Sequence, residues 1–166
     1  LLGKRMAMMI LLAISAACYA SFYVLPTSGY FLLLIVNILG ALAFGPAGAI
    51  IWAMYADTAD YIELKHNRRI TGLVYAGGLF AIKMGVALGG AIIGWLLAWY
   101  DFVPNVASSA RSAAGIKMIF SLVPAVLFLG AVALLGVYGL SENRVAEVEE
   151  QLQLRRGATT PFERTE

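Results

Sequence analysis

Lys83 is a lone ammonium group in oil: between Ile70 and Tyr100 the chain carries no other charge. A lysine at the centre of a lipid-spanning helix costs roughly 2.5–3.5 kcal/mol on insertion scales. That cost is offset where the ammonium meets water in a cavity or a carboxylate partner, and intramembrane charges so placed mark ion and substrate pathways. The second constellation is "YADTADYIELKHNRRITG" (55–72), which holds Asp57 and Asp60. On a helix these acids are i,i+3 neighbours and share a face. They close an apolar run at its C-terminal end, where the helix dipole disfavours negative charge. Cations must therefore approach them, and Lys65, Arg68 and Arg69 are candidates, as are groups elsewhere.

Conventional catalysis is poorly supplied. The single cysteine, Cys18, excludes a disulfide framework or thiol pair, and the single histidine, His66, forms neither a metal site nor a catalytic dyad. The glycines of 72–94 lie in an apolar stretch, where small residues serve close helix packing, and form no phosphate loop. The expectation is a protein that is not an enzyme and needs no cofactor of its own.

The elements that must position these groups are membrane helices. Of 166 residues, 61% are hydrophobic and 13% charged, and the mean hydropathy is +0.81. That is about half the charge of a typical soluble domain. Met6–Leu25, Tyr30–Ala56 and Met118–Leu140 hold no charge at all. Each apolar block reaches the ~20 residues needed to cross a bilayer. The chain reads as an all-α membrane protein with transmembrane helices at about 6–25, 30–56, 70–100 and 116–140. The first is longer than the 7–15 apolar residues of a cleaved leader. The start at Leu1 rather than methionine points to a cut edge.

Lys4, Arg5, Lys65, Arg68, Arg69, Arg144, Arg155, Arg156 and Arg164 fall on one side of these helices, against Arg111 and Lys117 on the other. The positive-inside rule makes that first side cytoplasmic, with both termini there. A net charge of +2 is too small to favour nucleic acid as a partner. Pro46, beside Gly45 and Gly48, removes a backbone donor and implies a kink in the second helix; Pro124 implies one in the fourth. On a wheel, Lys83 shares its face with Gly72, Ala76, Leu79, Phe80, Val86, Ala87, Gly90 and Gly94. Gly78, Ala81, Gly85 and Gly89 lie roughly opposite, as a small-residue packing seam. "SENRVAEVEEQLQLRR" (141–156) reads as an amphipathic surface helix capped by Ser141, and 157–166 as a disordered tail.

"YADTADYIELKHNRR", the apolar helix with its central lysine, "FVPN" (102–105) and "GIKMIF" together resemble the C-terminal end of glycoside–pentoside–hexuronide:cation symporters. The opening "LLGKR" is similar to that family's loop before its ninth helix. The resemblance covers residues 1–156 and implies a twelve-helix major facilitator fold of which this chain supplies helices nine to twelve. It implies a bacterial cytoplasmic-membrane protein that carries a sugar or glycoside with sodium, lithium or proton by alternating access. On that resemblance Lys83 matches a lysine near the sugar and cation sites, and its carboxylate partners lie on the remaining helices. Asp57, Asp60 and Arg69 match the cytoplasmic gating charges, although "KHNRR" leaves Arg68 as a rival to Arg69. Two other readings stay open: a self-contained four-helix transporter acting as an oligomer, and a non-transporting membrane subunit. The first needs a membrane-embedded acid, and none lies within these helices.

Overall fold

The computed structural model describes residues 3–26, 28–140 and 142–158. Six helices follow in order: α1 (Lys4–Val24), α2 (Tyr30–Phe44), α3 (Ala47–His66), α4 (Thr71–Trp99), α5 (Ala110–Val137) and α6 (Glu142–Ala158). Four spans are long and apolar enough to cross a membrane: α1, α2 with α3, α4 and α5.

The second span is interrupted at Gly45–Pro46, where the proline cannot supply the N–H that the Leu42 carbonyl would accept. The interruption is local, because Gly45 N–H still bonds the Ala41 carbonyl at 2.9 Å and Ile50 N–H the Pro46 carbonyl at 3.1 Å. Pro124 behaves differently: α5 continues through it as one helix. Two expected boundaries move. The second span does not end at 56 but runs ten residues further, to His66. Asn67 then terminates it in the left-handed region, with φ of 54°. The fourth span starts at Ala110, not 116, because Ser109 caps it by accepting from Ser112 N–H at 3.1 Å.

The packing centre is the α1–α5 pair. Ser15 and Ala16 on α1, and Ser121 and Ala125 on α5, are buried, so small side chains line the close approach. Both serine hydroxyls donate within their own helices, to Leu11 and Lys117 carbonyls at 2.9 and 2.6 Å. Neither leaves a polar orphan. Around them Tyr19, Phe22, Phe120, Phe128 and Phe44 form a chain of ring contacts 5.4–6.2 Å between centroids, tying in α2. Met8, Leu12 and Ala47 make the apolar core that seats α3.

Helix α6 packs on α3 through Val148 and Leu152, both buried. It also closes the end of α3: Arg155 donates to the Leu64 carbonyl at 3.4 Å and to the Asn67 side-chain oxygen at 3.3 Å. The proposed Ser141 cap and residues 159–166 lie outside the described residues.

Candidate functional site

Helix α4, which carries Lys83, is a strut held at its two ends. Near its start, Tyr75 stacks on Trp52 of α3 at 5.8 Å and 9°, and Tyr55 fills the space beside Gly78, so that a Cβ there would overlap its ring. Past its other end, Ser112 of α5 donates to the carbonyls of Tyr100 and Asp101 at 2.9 and 3.0 Å. Arg111 adds a bond to the Trp99 carbonyl and a 3.2 Å ion pair with Asp101. Between these anchors α4 is bare, with nothing in its most apolar stretch buried.

Lys83 stands in that bare middle. It is exposed, and among the described residues it has no hydrogen-bond or ion-pair partner. Twelve residues separate it from the start of α4 and sixteen from the end, or about 18 and 24 Å at 1.5 Å per residue. A lysine side chain cannot snorkel that far. The opposite stripe departs from expectation. Gly78 packs, against Tyr55, but Gly85 and Gly89 have nothing within 4 Å of a built Cβ. The seam is therefore not filled by the described residues, because α4 leans on α3 and α5 only at its ends.

The acids show a clearer arrangement. Asp57 is 8% exposed and takes both carboxylate oxygens to Lys4 Nζ, at 2.8 and 2.9 Å. Its cation therefore comes from the start of α1, not from Lys65, Arg68 or Arg69. Those three sit beyond the helical turn in which Asp57 points toward α1. Asp60 is half-buried and, among the described residues, has no ion pair. Arg69 reaches Glu63 at 4.0 Å while its side chain stays 75% exposed. The structure thus does not join Asp57, Asp60 and Arg69 into one cluster.

Sequence reasoning used Lys4 and Arg5 only to orient the helices, yet both make specific contacts. Arg5 donates to the carbonyls of Leu135 and Gly136, at 2.9 and 2.6 Å, in the last turn of α5, where carbonyls lack the next turn's N–H groups. Thr58 and Tyr138 hydroxyls meet at 3.1 Å beside it. One pair of adjacent cations therefore fastens α1 to α3 and α5. The signal was present in the sequence: cations at a helix start and acids at a helix end are both misplaced for the dipole. Two such misplacements resolve when they meet.

Four lipid-length helices, a bare strut with a central lysine and a charged staple at one end define an integral membrane protein. A family model described as MFS/sugar transport protein matches residues 1–142. The chain is 35% identical over 139 residues to a putative glycoside/cation symporter, YagG, of Escherichia coli, covering 82% of this chain and 30% of that protein. It is 40% identical over 105 residues to the inner membrane symporter YicJ of the same organism (61% and 22% covered). An uncharacterized symporter of Bacillus subtilis, YnaJ, is 28% identical over 154 residues (93% and 33% covered). The chain belongs to the MFS/sugar transport family, in its glycoside–pentoside–hexuronide:cation symporter branch. It spans about a third or less of the length of these relatives. No solved structure gives a significant match.

Proposed function

We propose that this chain forms the last four helices of a twelve-helix, cation-coupled sugar symporter of the bacterial inner membrane, working by alternating access, with both termini cytoplasmic. The observation that carries the reading is Lys83: an exposed ammonium, central in a lipid-length helix, without a partner among the described residues. Such a charge needs an aqueous cavity with carboxylates, and the rest of a transporter three times longer supplies both. A bound sodium, lithium or proton then competes with the ammonium for those carboxylate oxygens, which links ion occupancy to sugar occupancy. A coupling free energy of ~1–3 kcal/mol is enough.

Asp60 and Arg69 are the gating charges in this reading. Among the described residues Asp60 has no ion pair and Arg69 has only a 4.0 Å contact with Glu63, whereas Asp57 is engaged with α1. Pro46 divides the second span and allows α2 to tilt against α3, whereas α5 stays one helix through Pro124. The names of relatives support a sugar as substrate: one is a putative glycoside/cation symporter, and another, 35% identical over 106 residues, a putative sulfoquinovose importer of Escherichia coli. The self-contained oligomer would need an acid in the apolar middle of a span, whereas Asp57, Asp60 and Glu63 stand in the last turns of the second span.

The test is uptake by the natural full-length protein in proteoliposomes, with panels of glycosides, pentoses, hexuronates and sulfonated sugars. Accumulation of one class, driven by a sodium, lithium or proton gradient and abolished by its collapse, is expected. Uptake that ignores every ion gradient would refute coupling.

A further inference from the structure

Lys117 lies at the end of the bundle opposite the Lys4–Asp57 pair, in the second turn of α5. It is half-buried. Its Nζ donates to the Leu25 carbonyl at 3.3 Å, where α1 ends, and lies 5.8 Å from the Tyr23 ring centroid. Among the described residues it has no carboxylate partner; Asp101, the acid of the adjoining connection, is taken by Arg111.

Two openings of about 320 Å³ each share Lys117 as a wall. The first runs between α1, α2 and α5 and is walled by Phe22, Leu25, Leu33 and Phe120, with Asn37 its one polar neighbour besides the lysine. The second is bounded by Tyr23, Tyr100 and Met118. Exposed rings gather at this same end: Tyr23, Tyr30, Phe31 and Trp99. A belt of such rings marks the membrane–water interface. Lys117 therefore stands at headgroup depth, at the mouth of an apolar groove.

We propose that this groove binds one anionic phospholipid, its phosphate on the Lys117 ammonium and one acyl chain along Phe22, Leu33 and Phe120. Charge complementarity chooses the headgroup, since a cation without a carboxylate at this depth attracts lipid phosphate. The apolar wall chooses the lipid over a soluble anion, which would gain nothing from four hydrocarbon side chains. The assignment is independent of which sugar or ion the protein carries.

The experiment uses the natural full-length protein, delipidated in detergent and offered equal amounts of phosphatidylglycerol and phosphatidylcholine, with bound lipid read by native mass spectrometry. Wild type should retain phosphatidylglycerol selectively. Lys117→Gln should lose that retention by about fivefold, the contribution of one interfacial cation, while Lys117→Arg keeps it. Leu33→Trp, which fills the groove and leaves the charge, should exclude the lipid as well; it also decides the matter if Lys117→Gln does not fold. Millimolar glycerol phosphate should not displace the lipid. Displacement would mean a free-anion site and overturn the proposal. So would unchanged retention in Lys117→Gln and Leu33→Trp, or a cysteine at Leu33 that cross-links to another segment of the same polypeptide.

Discussion

Lys4 and Asp57 are 53 residues apart in the chain, and their side chains meet at 2.8 Å. The contact joins the start of α1 to the last turns of α3, and with Arg5 on the α5 carbonyls it makes one fastening for three helices. Asp57 therefore ties α1 to α3 within this chain, and the gating proposed above rests on Asp60 and Arg69.

Asp57→Asn and Lys4→Gln should each destabilise the protein by about 1–2 kcal/mol, since the pair is charge-assisted but Lys4 remains 39% exposed. The double variant should cost little more than either single one, because both remove the same contact. Thermal unfolding in detergent measures this. Full additivity would show that the two residues act separately.

Asp60→Asn and Arg69→Gln should leave unfolding temperature within error of wild type. Transport should fall in both, and a cysteine at Asn67 should label faster in inside-out vesicles as the cytoplasmic side opens. Arg68→Gln serves as the control for the neighbouring arginine. Equal effects at Arg68 and loss of stability at Asp60 would remove the gate.

Gly78→Val should cost about 1–3 kcal/mol through overpacking, because its side chain would enter the Tyr55 ring, itself wedged by Trp52 and Tyr75. At Gly85→Val and Gly89→Val the added Cβ meets nothing within 4 Å among the described residues. Any loss of stability they cause in the full-length protein therefore measures packing of α4 against helices beyond these residues.

Much of this was legible in the sequence, for definite reasons. A charge-free block of ~20 residues has one stable fate in lipid, so the four spans could be read directly. Their ends could not, since hydropathy falls where charges begin while helices continue. The turns around Asp57, Asp60 and Glu63 are good helix formers, and α3 carries on to a left-handed Asn67. The residues that share a face with Lys83 were readable from the wheel. The seam through Gly85 and Gly89 was not, because periodicity shows which residues share a face but not whether a neighbour occupies it. The partner of Asp57 required knowing that the start of α1 lies beside α3.

Topology has its own check. A cysteine at Ser108, exposed on the connection between α4 and α5, should react with an impermeant thiol reagent added to intact cells. A cysteine at Asn67 should react only after permeabilisation. The reversed pattern would invert the molecule and place the gating charges outside.

The most direct measurement of the central claim is sugar accumulation against an ion gradient in vesicles, for wild type and Lys83→Ala at matched expression. The variant should insert and unfold as wild type does, because Lys83 is exposed and makes no hydrogen bond or ion pair among the described residues. It should exchange internal for external sugar without a gradient, yet fail to accumulate it when a gradient is imposed. Lys83→Arg should recover little, since a planar guanidinium does not replace a compact ammonium among carboxylates. If Lys83→Ala accumulates sugar to the wild-type level, the lysine takes no part in coupling and the account fails.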